Sequence, residues 1–191
     1  MIIRRPLTFV LTLVLLFTAT ATSFPSSTFA APTLQPSARL VKTIAMNIDC
    51  ARVPNTPEAH KALKKYHLCG YTDGGIQPAN VVPGSCGNVS LFLFDDRNGV
   101  AQWKFEVSST IGTIVSVNYN GSWRNNTTGR SAPVNRSYLT FTSDSVDTFP
   151  LSTGAGSVIG SIPLGAAQDT TIWGGVCTNT NGAPWDLRTI T

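Results

Sequence analysis

VSLFLFDDRNGVAQWKFEVS, residues 89–108, predicts a β-hairpin and decides the fold class. Its first part, residues 89–94, is apolar on both parities, which is typical of a strand buried on both faces. Asn98 and Gly99 then supply the dipeptide that a tight hairpin turn favours. After the turn, apolar and polar residues alternate, which indicates a strand with one buried and one solvated face. The apolar positions are Ala101, Trp103, Phe105 and Val107.

Further short β-rich runs, separated by turn residues, continue to the end of the chain. Residues 113–123 repeat the alternation, and Gly121 within them indicates a bulge. Residues 124–136 lack periodicity and predict a long, exposed polar loop. Other strands are predicted at residues 41–48, 137–143, 157–162, 170–177 and 185–190. The pattern predicts a mainly β fold, a single-domain antiparallel β-sandwich or small barrel with one short N-terminal helix and two disulfides.

The helix is predicted just after residue 55. Thr56 is a good N-cap, and Pro57 suits the first helical position because a proline lacks the N–H that has no partner there. Gly70 is expected to end the segment. Apolar residues recur at helical spacing and form one stripe that should face the sheet. They are Ala59, Ala62, Leu63 and Tyr66.

The first 30 residues predict a secretory signal peptide. Arg4 and Arg5 precede an apolar run at residues 7–17, and small residues near Ala30 fit a cleavage site. The apolar run of about 11 residues is too short for a membrane span, which needs roughly 20. We therefore expect a secreted protein without a membrane span after cleavage. Residues 31–40 are expected to be a flexible lead-in, and residues 41–191 the β domain.

Four cysteines remain after the predicted cleavage: Cys50, Cys69, Cys86 and Cys177. An even number in an oxidising compartment predicts two disulfides, for which three pairings are possible. We favour Cys50 with Cys69, because this bond would staple the ends of the predicted helix. Cys86 would then pair with Cys177 and tie an early strand to a late one.

Charge argues against a nucleic-acid partner. Without Arg4 and Arg5, the 14 Lys and Arg residues fall to 12, against 10 Asp and Glu, so the net charge is only +2. Nucleic-acid binding usually needs a clustered basic stripe. The one basic cluster is the helix face formed by His60, Lys61, Lys64 and Lys65. It is either a solvated surface or a weak site for an anionic surface.

No catalytic, metal or cofactor motif stands out. Both histidines lie on the predicted helix and all four thiols are expected to be oxidised, so no Ser-His or Cys-His pair is evident. The cysteine spacings do not fit a zinc site, and we expect neither metal nor cofactor. Carboxylate pairs are present, but too loosely patterned to indicate glycoside hydrolysis.

The tryptophans are the remaining candidates for binding. Trp103, on the alternating strand, is expected in the core, whereas Trp123 and Trp185 have weaker claims to burial. With Arg124 and Tyr119, they form the predicted ligand site. The leading hypothesis is a secreted, non-enzymatic module that binds an extracellular carbohydrate or protein. The alternatives are a secreted hydrolase, or an extracellular inhibitor or toxin-like effector.

Overall fold

A computed structural model describes residues 43–71 and 85–191. The predicted signal peptide, the lead-in and the first two residues of the first predicted strand lie outside these ranges. All described residues belong to one compact unit. The described part is 59% strand and contains one α-helix, as the sequence predicts.

Ten strands and the helix follow one another along the chain. The elements are β1 (Thr43–Ile48), a 3-10 turn (Cys50–Arg52), α1 (Pro57–Tyr66), β2 (Ser85–Asp95), β3 (Val100–Ser109), β4 (Ile114–Asn125), β5 (Ser131–Thr142), β6 (Asp144–Ser152), β7 (Gly156–Ser161), β8 (Ala167–Thr171), β9 (Val176–Thr178) and β10 (Trp185–Ile190).

The strands form one antiparallel sheet in the order β10-β7-β4-β8-β9-β1-β2-β3-β6, with β5 paired to β4 beside that path. The division of these strands into the two layers of a sandwich stays a prediction. β10 lies alongside β2, where side chains make the connection: Asp186 Oδ2 accepts the Leu93 N–H at 2.8 Å. Asp95 accepts the Thr191 N–H at 3.1 Å. Two carboxylates therefore fasten the last strand to the first hairpin.

The β2–β3 hairpin is confirmed, and its core face is the predicted one. Leu93 pairs with Trp103, which is fully buried as expected. Arg97, Asn98 and Gly99 take positive φ in the turn. One expectation is wrong: the later part of β2 is buried on one face only, because Phe94 is 44% exposed.

Gly121 does not mark a bulge. It pairs regularly with Val134, and the irregularity of β4 lies between Ile114 and Ser116 instead. The glycine is required by packing, since a Cβ at this position would lie 2.9 Å from the Ser161 carbonyl oxygen and 3.1 Å from Trp103 Cη2. The close approach of the Ser161 carbonyl and the buried indole, and not an extra residue in the strand, explains the glycine.

Residues 124–136 are not a long loop, which corrects the sequence prediction. β4 continues through Asn125 and β5 begins at Ser131, so the segment is mostly a hairpin. Asn125 is buried and its Nδ2 donates to the carbonyls of Thr153, Gly154 and Ala155 at 3.1 Å each. Its Oδ1 accepts the N–H groups of the two threonines that follow Asn126. These hydrogen bonds hold the turn between β4 and β5, in a segment whose sequence has no periodicity from which the strands could be predicted.

Two other strand predictions are corrected. β6, Asp144–Ser152, was not predicted, because Pro150 and several polar residues interrupt the apolar alternation that indicates a strand. It is a sheet-edge strand paired only with β3, where a proline is tolerated. The single strand predicted at residues 170–177 is two strands, β8 and β9, which pair with each other around a turn at Gly174.

The helix begins as predicted and ends earlier. Thr56 Oγ1 accepts the Ala59 N–H at 3.2 Å, and Pro57 is the first helical residue. The helix ends at Tyr66 and is capped by His67, which adopts the left-handed conformation with φ 53° and donates its N–H to the carbonyl of Leu63. Gly70 is therefore not the cap. The apolar stripe does contact the main core, through Leu63 and Tyr66.

Both disulfides have the favoured pairing. Cys50–Cys69 connects the segments that flank α1, and Cys86–Cys177 joins β2 to β9. Cys86 and Cys177 are fully buried. The bonds therefore hold the helix against the sheet and link two strands that are distant in sequence.

Candidate ligand-binding face

Two of the four predicted ligand residues point into the protein. Tyr119 is fully buried and stacks on Phe105 with ring centroids 4.0 Å apart. Its hydroxyl donates to Asp147 Oδ2 at 2.8 Å. Burial, reinforced by this carboxylate, raises the pKa of Tyr119. Trp123 is only 7% exposed. Neither ring offers a face to a ligand, so the structure removes Tyr119 and Trp123 from the predicted aromatic surface.

The other two residues share one outward face. Trp185 on β10 pairs with Ser161 on β7, which pairs with Ser122 on β4. Cross-strand partners point to the same side of a sheet, and so do residues two apart on one strand. Arg124, two residues after Ser122, therefore lies on the same face as Trp185, and the indole is partly exposed. Neighbouring strands are about 4.8 Å apart, so Trp185 and Ser122 lie roughly 10 Å apart.

We call this surface the four-strand face, because β10, β7, β4 and β5 each contribute side chains. One row across it is Trp185, Ser161, Ser122 and Pro133. The next row is Leu187, Ile159, Arg124 and Ser131. Asn120 and Asn135 pair across β4 and β5 one step beyond the first row, and both are exposed. Among these residues Arg124 carries the only charge.

The face combines apolar contact with neutral hydrogen-bonding groups. The Trp185 ring and Leu187, which is 46% exposed, form its apolar part. Hydroxyl and amide groups of Ser122, Asn120 and Asn135 provide donors and acceptors beside it, and Arg124 provides a fork of N–H donors. A flat surface of this composition can stack on an apolar ring face and hydrogen-bond to the edge of the same ligand.

Buried groups beneath the face hold it in place. Asp186 lies between the outward-facing Trp185 and Leu187 and points inward, where it accepts the Leu93 N–H. Gly160, on the inner side of β7, leaves room for the core indole: a Cβ there would lie 2.8 Å from Trp103 Cζ3. The face is therefore part of the rigid sheet. No local sequence signal locates the face, because Gly121 and Gly160 meet the same tryptophan only through the pairing of β4 with β7.

The basic helix residues separate into three environments. Lys61 and Lys65 line a groove beside α1, together with Tyr66 and Trp173. His60 lies instead near the ring of Tyr71, with centroids 6.0 Å apart. Lys64 is exposed but does not line the groove. The predicted basic face is thus not a single cluster.

An acidic depression at the sheet edge was missed by sequence reasoning. It has a volume of about 250 Å³ and contains Glu106 and Asp144. Glu106 Oε1 is 2.6 Å from Lys104 Nζ, and Asp144 Oδ2 accepts the Ser143 hydroxyl at 2.9 Å. The remaining lining residues are Asn88, Ser90, Val107, Ser108, Ser145 and Val146. Only the pairing of β3 with β6, a strand that was not predicted, brings the two acids together.

The molecule is thus a disulfide-linked antiparallel β protein with an exposed aromatic and polar face. Comparison with protein-family models, curated proteins and solved structures found no match in any of the three. Within residues 43–71 and 85–191, no helix is both long and apolar enough to cross a membrane. Within the same ranges, no three His, Cys, Asp or Glu side chains are grouped so that they could hold a metal ion.

Proposed function

We propose that the protein is an exported, non-catalytic module that binds a carbohydrate through the four-strand face. The observation that carries this proposal is the common exposed face of Trp185 and Arg124, two residues 61 positions apart in the chain that β7 brings together. Neutral hydroxyl and amide groups surround them, and such groups can both donate to and accept from the hydroxyl groups of a sugar.

Export is supported by the N-terminal pattern and by the disulfides. A basic pair followed by a short apolar run and small residues is typical of a secretory signal. Disulfides form and persist in oxidising compartments, and both cysteine pairs are bonded. A ligand for such a module would be met outside the cytoplasm.

The chemistry of the face favours a sugar over a polar peptide or a nucleic acid. The C–H face of a pyranose ring is apolar and can lie on the Trp185 indole, with its hydroxyl groups directed at Ser122 and Asn120. A single cation, Arg124, suits a neutral glycan or one that carries an acidic group. It is too little charge for a polyphosphate.

The test is a glycan array probed with the folded, oxidised protein, followed by calorimetry on the best ligand. Trp185→Ala and Arg124→Ala should each weaken binding about tenfold, which corresponds to ~1.4 kcal/mol. Phe94→Ala is the matched control, because Phe94 is also an exposed aromatic on a strand and lies outside the face. The affinity of Phe94→Ala for the glycan should be unchanged. Absence of glycan binding, or full binding by Trp185→Ala, would refute the proposal.

A secreted hydrolase is the second candidate, favoured only by the acidic depression. Glu106 and Asp144 would then be the acid and base. Turnover of glycosides by the purified protein, lost in Glu106→Gln and Asp144→Asn but kept in Asp96→Asn, would replace the binding proposal with this one. The inhibitor or toxin-like class stays a prediction without a structural feature in its favour.

A further inference from the structure

A groove separate from the four-strand face lies between α1 and two turns of the sheet. Its volume is about 310 Å³. The turns are residues 111–113, which connect β3 to β4, and residues 172–173, which follow β8. We call it the helix groove. Its lining includes Glu58, Lys61, Lys65, Tyr66, Ile172 and Trp173.

The floor of the helix groove is apolar and fixed. The Trp173 indole N–H donates to the Ile111 carbonyl at 3.0 Å, so the polar group of the ring is already satisfied. The ring lies over the backbone of Gly175, where a Cβ would be 2.1 Å from Trp173 Cη2. The Ile172 side chain is 69% exposed, while its backbone N–H donates to the Thr113 carbonyl and fixes its position. The apolar side chain of Ile172 is therefore exposed to solvent beside the Trp173 indole, whose position is fixed by its hydrogen bond and its packing.

The rim of the helix groove is cationic. Lys61 and Lys65 are one helical turn apart, so their side chains project in the same direction. Lys65 Nζ lies 4.8 Å from the centre of the Tyr66 ring. Among the described residues neither ammonium group forms an ion pair. The two lysines outnumber the single carboxylate of the lining, Glu58.

We propose that the helix groove binds a free single-chain amphiphile with an anionic head, such as a fatty acid. The head lies between Lys61 and Lys65, and the chain lies across Ile172 and Trp173. Small-molecule sites are concave and mostly apolar, with a few polar groups that fix orientation, and this groove has that composition. The excess of cations selects an acid over an amine, and the apolar floor selects a chain over a sugar. This site goes beyond the proposed carbohydrate binding and does not depend on it.

The test is titration of the oxidised protein with decanoate below its micelle concentration. The readouts are calorimetry and the indole N–H signal of Trp173 in NMR spectra, identified with Trp173→Phe. We expect saturable binding, a shift of this signal, and affinity that falls as salt rises. Decyltrimethylammonium, with the same chain length and the opposite charge, should bind at least tenfold more weakly. Equal binding of the two, or none of decanoate, overturns the proposal.

Matched variants separate charge from apolar contact. The double change Lys61→Gln, Lys65→Gln should weaken decanoate binding at least tenfold, while Lys104→Gln leaves it unchanged. Ile172→Ser should also weaken it, and Leu139→Ser, at an apolar residue of similar exposure outside the groove, should not. Unchanged affinity in the double variant refutes the role of the lysines. Binding only to anionic vesicles, without binding of monomeric decanoate, would show a membrane-surface site and would also refute the proposal.

Discussion

Asp169 should make the protein lose stability as the pH rises. This β8 residue is fully buried, and neither carboxylate oxygen has a hydrogen-bond partner. Its cross-strand neighbours are Val117 and Cys177, which carry no compensating charge. Burial raises the pKa of Asp169 from 3.8 to about 7, because the charged form is poorly solvated inside the sheet.

The sign of the effect follows from the direction of this shift. Between pH 3.8 and about 7 the folded state holds a proton that the unfolded chain has already lost. The free energy of unfolding is therefore undiminished by this carboxyl below pH 3.8 and falls as the pH rises towards 7. A shift of about three pKa units corresponds to ~4 kcal/mol in total, or ~1.4 kcal/mol for each pH unit within the window. This loss is a large fraction of the stability of a small domain.

Urea unfolding followed by tryptophan fluorescence between pH 4 and pH 9 measures this effect. The difference between the wild type and Asp169→Asn isolates the contribution of this carboxyl, because asparagine has a similar shape and does not titrate. The wild type should lose stability relative to the variant across the window, and Asp96→Asn, at an exposed position, should follow the wild type. Parallel pH profiles for the wild type and Asp169→Asn would refute the reasoning.

Three other predictions concern stability and are measured by the same unfolding assay. Asn125→Ala removes five hydrogen bonds at the turn between β4 and β5 and should cost about 2–4 kcal/mol; a cost below 1 kcal/mol would contradict the assigned role. Gly160→Ala should cost about 1–3 kcal/mol because the new methyl meets the buried Trp103 ring; an unchanged midpoint would mean that the ring can move aside. Replacing both cysteines of Cys86–Cys177 by alanine should cost ~4–5 kcal/mol, since the bond closes a loop with a sequence separation of 91. An unfolding free energy within 1 kcal/mol of the wild type would contradict that estimate.

The parts of the fold that could be predicted depend on neighbours in sequence. The β2–β3 hairpin follows from alternation and an Asn-Gly turn, and the start of α1 follows from Thr56 and Pro57. β6 has no such local pattern, because it is half exposed along its length and pairs with only one strand. The turn at Asn125 could not be predicted because its three carbonyl partners lie about 30 residues later.

The candidate site shows the same limit. Exposure of Trp185 and Arg124 was a reasonable expectation, but their common face depends on the register of β7 between β10 and β4. Trp123 illustrates the opposite case: it is one residue from Arg124 and points to the other side of the sheet. A shift of one residue in pairing would exchange the two, so composition near a turn cannot decide which aromatic is exposed.

The buried side chain of Asn125 has a consequence for the choice of expression host. Five Asn-x-Ser/Thr sequences are present, at Asn88, Asn120, Asn125, Asn126 and Asn135. A glycan attached to the amide nitrogen of Asn125 would displace the three carbonyls that it contacts, so that acceptor sequence is incompatible with the native chain. Glycans on Asn120 or Asn135 would instead leave the fold intact and cover the four-strand face. Material for sugar-binding measurements should therefore come from the oxidising compartment of a cell that does not glycosylate asparagine.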